Sequence, residues 1–134
     1  MTSLYLLDTN IVSDLLRNPS GMTARRVAEV GEGHLATSVI VAGELRFGAA
    51  KRRSADLSAR VEGVLSRLKV IDLAAPADRL YAEARSRLEA AGAPIGANDL
   101  WIAAHALALD RILVTANERE FSRVPGLRVE NWLA

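Results

Sequence analysis

Three acids stand where solvation alone would not put them. Asp8 follows the apolar run Leu4-Tyr5-Leu6-Leu7, and Glu44 lies between Val41 and Leu45. Asp99 opens Leu100 to Leu109, which is apolar nearly all round. A buried, unpaired carboxylate is expensive, so each needs a basic side chain or a cation. Taken singly, each has a plain structural use. Asp99 can cap a helix, Asp8 can cap a helix or close an Asx turn, and Glu44 can pair with Arg46. Together with the Thr115–Asn117 segment, however, Asp8 and Asp99 fall after strands or at helix starts, on one rim of a sheet. Carboxylates gathered there repel one another unless a cation is present. Oxygen donors without cysteine or a suitably placed histidine point to Mg²⁺ or Mn²⁺. His105 comes six residues after Asp99 and is turned well away from it at about 100° per residue. It reads as a packed or hydrogen-bonded core residue, and His34 as an exposed residue of a polar turn.

The elements that must position these acids alternate along the chain. Leu4–Leu7 reads as a strand buried on both faces. Asn10 is then the expected cap of a helix from Ile11 to Arg17, broken at Asn18-Pro19-Ser20-Gly21. A second helix is expected over Thr23–Val30, and a brief strand over His34–Thr37. Ser38 caps a longer helix through about Ala50. Gly43 and Gly48 weaken that helix, which predicts close packing against them. Further helices are expected over Ala55–Leu68, Ala77–Ala91 and Leu100–Leu109, the last capped by Asn98 or Asp99. Strands are expected at Val70–Leu73 and Arg111–Thr115. A short helical turn at Asn117–Phe121 and an edge strand at Leu127–Val129 follow, with Trp132 closing the core. The alternation predicts an α/β fold: a central, mostly parallel sheet of four to five strands flanked by helices on both faces. At 134 residues, half of them hydrophobic, one domain over 1–134 is expected.

Net charge is +1 and there is no cysteine, which excludes disulfides and thiolate metal sites. The sequence offers neither an export signal nor a membrane-length apolar run, so a cytoplasmic protein with no membrane partner is expected. Charge is uneven, however. From Arg46 to Lys69 seven basic residues face two acids. Arg46, Lys51, Arg52 and Arg53 are the first candidates for contacts to nucleic-acid phosphates. A solvated pair of helices accounts for the same residues.

Four segments carry a family resemblance. They are Leu7-Asp8-Thr9-Asn10, Ser38 to Leu45, Asn98 to Ala106, and Val114-Thr115-Ala116-Asn117-Glu118-Arg119-Glu120-Phe121. In order and at this spacing they resemble the signature blocks of PIN-domain ribonucleases, especially VapC-type toxins of bacterial toxin–antitoxin pairs. The resemblance implies a Mg²⁺- or Mn²⁺-dependent endoribonuclease, usually homodimeric, with a small VapB-type antitoxin as partner. Transfer RNA is an expected substrate. The resemblance matches Asp8, Glu44 and Asp99 to the family's acids as metal ligands and catalytic residues. Its fourth acidic position falls on either Asn117 or Glu120. Thr9 and Thr115 are expected to hydrogen-bond the carboxylates or a bound water. Grooves between the first helices and the Glu44 helix are expected to receive an apolar antitoxin segment.

Three other readings fit parts of the chain. One is a non-catalytic PIN-like binding module marked by Asn117, and another is a nuclease directed at DNA. The third is an α/β phosphatase with Asp8 as nucleophile. Phosphatases of that kind need a second Asp two residues on, where this chain has Asn10.

Overall fold

The computed structural model describes residues 3–133. Five strands form one sheet: β1 (Tyr5–Leu7), β2 (Leu35–Ser38), β3 (Lys69–Ile71), β4 (Ile112–Val114) and β5 (Val129–Glu130). The order across the sheet is β3-β2-β1-β4-β5, and all four pairings are parallel. Leu6 pairs with Ala36 on one side and Leu113 on the other. All three are fully buried, as befits the middle of a sheet covered on both faces.

The chain winds from β1 outward through β2 to β3, then returns to the other side of β1 for β4 and β5. Right-handed crossovers in the two winding directions put helices on opposite faces. The winding reverses between β1 and β4. In open α/β sheets the crevice outside the carboxyl ends of the strands at that point is the ligand site.

Seven α-helices connect the strands: α1 (Thr9–Arg17), α2 (Met22–Val30), α3 (Val39–Arg52), α4 (Ala55–Arg67), α5 (Ala77–Ala90), α6 (Ala97–Leu109) and α7 (Glu118–Phe121). Helix α1 buries Ile11, Val12 and Leu16 and stops where Pro19 follows Asn18. The α6 helix buries Leu100, Ile102, Ala103, Ala104 and Ala106 around most of its surface, as its sequence predicts. Trp132 is buried and packs edge-on against Tyr5. Trp101 is half-buried and stacks on Tyr81 with centroids 3.8 Å apart.

Several local expectations are corrected. Asn10 does not cap α1; Asp8 does, in extended conformation, accepting from the Thr9 N–H at 2.8 Å. Helix α6 begins at Ala97 behind Gly96, so neither Asn98 nor Asp99 is its cap. Its first turn is longer than the apolar pattern, because Ala97 and Asn98 are exposed and leave no periodic signal. His34 belongs to a 3₁₀ turn (Glu32–His34) and is half-buried. Ser38 ends β2 and also caps α3, accepting from Ile40 N–H at 3.0 Å. The third strand runs two residues earlier than the Leu73 end predicted for it, and the edge strand one residue later than Val129. No close packing surrounds Gly43 or Gly48: a Cβ at either would meet nothing within 4 Å.

Candidate active site

Asp8, at the end of β1, is 4% exposed. Its Oδ2 accepts from Thr115 Oγ1 at 2.8 Å, and Thr115 follows β4 directly. The two residues thus join across the reversal of winding. Asn10 completes the link. Its Nδ2 donates to Asp8 Oδ2 and Thr115 Oγ1, both at 3.4 Å, while its Oδ1 accepts from Ala116 N–H at 2.9 Å. Thr115 Oγ1 also accepts from Asn117 N–H at 3.0 Å. Asn10 therefore holds the β4–α7 loop against the start of α1. The sequence offers it first as a cap, since Asn after a strand is commonest there; only the sheet order brings it beside Ala116.

Glu44 is half-buried on α3 and faces this rim, where its Oε1 accepts from Thr9 Oγ1 at 2.9 Å. Each of the two threonines thus donates to a carboxylate. Glu120 is held at both oxygens, by Asn117 Nδ2 at 3.0 Å and by Gly96 N–H at 3.4 Å. Gly96 immediately precedes α6, which brings Glu120 to the Asp99 end of that helix. Asn117 thus touches Glu120 and, through its amide, Thr115.

Electrostatics tie the acids together. Burial, then the charges of Asp8, Glu120 and Glu44, push Asp99 up to about 6. Asp8 is also raised, first by burial and in smaller part by Glu44, against the hydrogen bonds from Thr115, Thr9 and Asn10. Among the described residues no Lys or Arg is within ion-pair distance of Asp8, Glu44, Asp99 or Glu120. Glu44 and Arg46 do not pair, because Arg46 binds Glu62 at 2.9 Å through two nitrogens. Four acids with uncompensated charge and oxygen donors alone fit a divalent cation of the Mg²⁺ class. They are neighbours rather than a closed claw. Among the described residues no three Asp, Glu or His side chains converge on one ligating point. Each oxygen described above is held instead by a protein donor.

The histidines stand apart. His105 is 1% exposed and its Nδ1 lies 2.9 Å from Ser38 Oγ. Burial lowers its pKa. It is a core residue, as the helical spacing predicted.

Of the basic residues, Lys51, Arg52 and Arg53 close α3 and are exposed. They lie seven to nine residues beyond Glu44, or about 10–14 Å along the axis. Arg60 donates to the Leu16 carbonyl and Arg67 pairs with Glu32. An apolar groove of about 470 Å³ runs between α1, α2 and α4, lined by Leu15, Ala24, Val27, Val64 and Leu68. It lies against α4, not against the Glu44 helix as expected, because α3 packs directly on α1 and α4.

A family model for the PIN domain matches residues 5–127. The chain belongs to the PIN-domain family. Among PIN-domain proteins it is 39% identical over 131 residues to Ribonuclease VapC2 of Rickettsia felis, covering 96% of this chain and 98% of that one. It is 36% identical over 129 residues to the tRNA(fMet)-specific endonuclease VapC of Shigella flexneri, covering 96% and 97%. Two solved PIN-domain structures superpose closely. VapBC2 from Rickettsia felis, bound to a promoter DNA fragment, gives a TM-score of 0.90 at 37% identity, covering 96% of this chain and 98% of that one. VapBC-1 from nontypeable Haemophilus influenzae gives 0.87 at 34% identity, covering 98% and 99%.

Proposed function

We propose that this protein is the ribonuclease toxin of a toxin–antitoxin pair, a divalent-metal-dependent endoribonuclease. The observation that carries the reading is the group of four acids at the reversal of sheet winding, with no basic side chain among the described residues to balance them. Asp8, Glu44 and Asp99 would hold Mg²⁺ or Mn²⁺, with Glu120 as the fourth acid. The bound ion supplies a water of lowered pKa and charge stabilisation at phosphorus.

The chain's own groups do the rest. Thr115 and Asn10 orient Asp8, and Thr9 orients Glu44. An acid of the group would accept the proton of the attacking water. Asn117 aims Glu120 and is not itself a ligand. Lys51, Arg52 and Arg53 would contact RNA phosphates; Arg46 is less suited, because its guanidinium is already paired. Attack by water needs no 2′-hydroxyl, and the family resemblance implies products with 5′-phosphate and 3′-hydroxyl ends. Recovery of 2′,3′-cyclic phosphate ends would overturn this mechanism.

The relatives' names support RNA, and one of them transfer RNA, as substrate. The VapBC complexes support a small VapB-type antitoxin as partner. Its apolar segment would occupy the groove between α1, α2 and α4. A cytoplasmic homodimer fits the same family. The test incubates purified protein with total RNA in Mg²⁺, in Mn²⁺ or in EDTA, beside Asp99→Asn. Cleavage is expected only with an ion and only by the parent chain. Equal cleavage by the variant refutes the site.

A further inference from the structure

Helix α3 carries two glycines, Gly43 and Gly48, that no close packing among the described residues explains. Each costs roughly 1 kcal/mol against alanine in a helix interior, and neither admits a close neighbour. Between them stands Phe47, 66% exposed. Gly43, four residues earlier, lies one turn away on the same side of the helix. The ring therefore has a bare flank toward the helix N-terminus. Val39, one turn further back, is 40% exposed and extends the apolar stripe.

The neighbours of Phe47 along α3 matter as much as its exposure. Glu44 precedes it by three residues and Lys51 follows by four, about 4.5 Å and 6 Å of axial rise. Lys51 and Arg52 are exposed, and among the described residues neither pairs with an acid. The helix thus presents, in order, a carboxylate of the acidic group, an aromatic face with room around it, and free cations. Single-stranded nucleic acid is bound by that combination: bases stack on aromatic rings and phosphates meet Lys and Arg. A protein partner matches it less well. An apolar segment would bury Lys51 unpaired.

We propose that Phe47 is a stacking platform for an unpaired RNA base beside the scissile phosphate, with Lys51 taking a phosphate on that side. The proposal rests on the ribonuclease reading and adds a substrate contact to it. It also accounts for Gly43, whose missing side chain leaves the ring accessible.

The test measures equilibrium binding by fluorescence anisotropy in EDTA, where cleavage is blocked. The probes are a fluorescein-labelled oligoadenylate and an abasic oligomer of equal length and charge. Phe47→Ala is expected to weaken oligoadenylate binding roughly 5- to 100-fold, the range for one stacked base, and to leave abasic binding unchanged. Phe47→Trp is expected to keep the affinity, and Phe47→Leu to resemble Phe47→Ala. Unchanged oligoadenylate binding by Phe47→Ala, full rescue by Leu, or an equal loss on the abasic oligomer overturns stacking. So does a change in sedimentation or antitoxin retention with RNA affinity intact, which would make this face a protein interface. If the parent chain cuts RNA while Phe47→Ala binds it normally, stacking alone fails. If the parent neither binds nor cuts RNA, the ribonuclease reading fails, and stacking with it.

Discussion

At the scale of single residues, Asp99 links the chemistry to stability. Its carboxyl titrates at about 6 rather than the ordinary 3.8 because burial and then the charges of Asp8, Glu120 and Glu44 disfavour ionisation. The unfolded chain lacks those neighbours and gives up the proton at lower pH. Stability from this group is therefore fully present below about 3.8 and is lost as pH rises through about 6. Asp99→Asn removes the ionised state. Without divalent ion, the variant should melt above the parent at pH 7.5, and the difference should close as pH falls toward 4. A variant that melts lower at pH 7.5 would mean that Asp99 holds the fold together. Glu120 and Asn117 separate in the same way. Glu120→Gln should cost roughly 10- to 100-fold in RNA cleavage, the range for groups that support a metal site. Asn117→Ala, which removes only one donor to Glu120, should cost less. The reverse order would make Asn117 the more important of the two.

At the scale of elements, what was legible in the sequence depended on period and punctuation. The strand within the Leu4–Leu7 run, which starts at Tyr5 and leaves Leu4 exposed, the apolar wrap of Leu100–Leu109 and Ser38 before a helical pattern each announce themselves locally. The sheet that unites them does not, since its order arises from crossovers. Asn10 illustrates the gap. Beside Asp8 in sequence it reads as a cap, but β4 arrives next to β1 and converts it into a clamp on Ala116 and Thr115. Gly43 and Gly48 illustrate another. Sequence says only that they weaken α3, and whether the missing side chains admit a neighbour or leave open space is decided by packing. The resemblance, not the periodicity, brought Glu44 and Glu120 to one rim. The clamp makes a direct prediction. Asn10→Ala should cost about 1 kcal/mol, as for one typical hydrogen bond. The exchange of the Ala116 amide should quicken more than that of core amides in Leu113 and Val114. Uniform change across all three would mean that Asn10 only supports global stability.

At the scale of the whole molecule, two surfaces face different partners. The acidic rim and the α3 face beside it suit a polyanion that arrives with a cation. The groove of α1, α2 and α4 is apolar and distant in chemistry from the acids, with Arg67 and Glu32 pairing at its edge. An antitoxin segment lying there need not touch the acids in order to bind, so affinity and inhibition are separable. Ala28 is exposed and lines the groove. Surface substitutions at such a position usually change stability by less than 0.5 kcal/mol. Ala28→Glu places a charge where an apolar segment would lie and leaves it without a partner on binding. Its RNA cleavage and melting temperature should match the parent's, while its affinity for the antitoxin falls at least tenfold in a titration of the purified pair. Equal affinity would move the antitoxin off this groove. A parallel loss of RNA cleavage would show that the groove and the rim share a ligand.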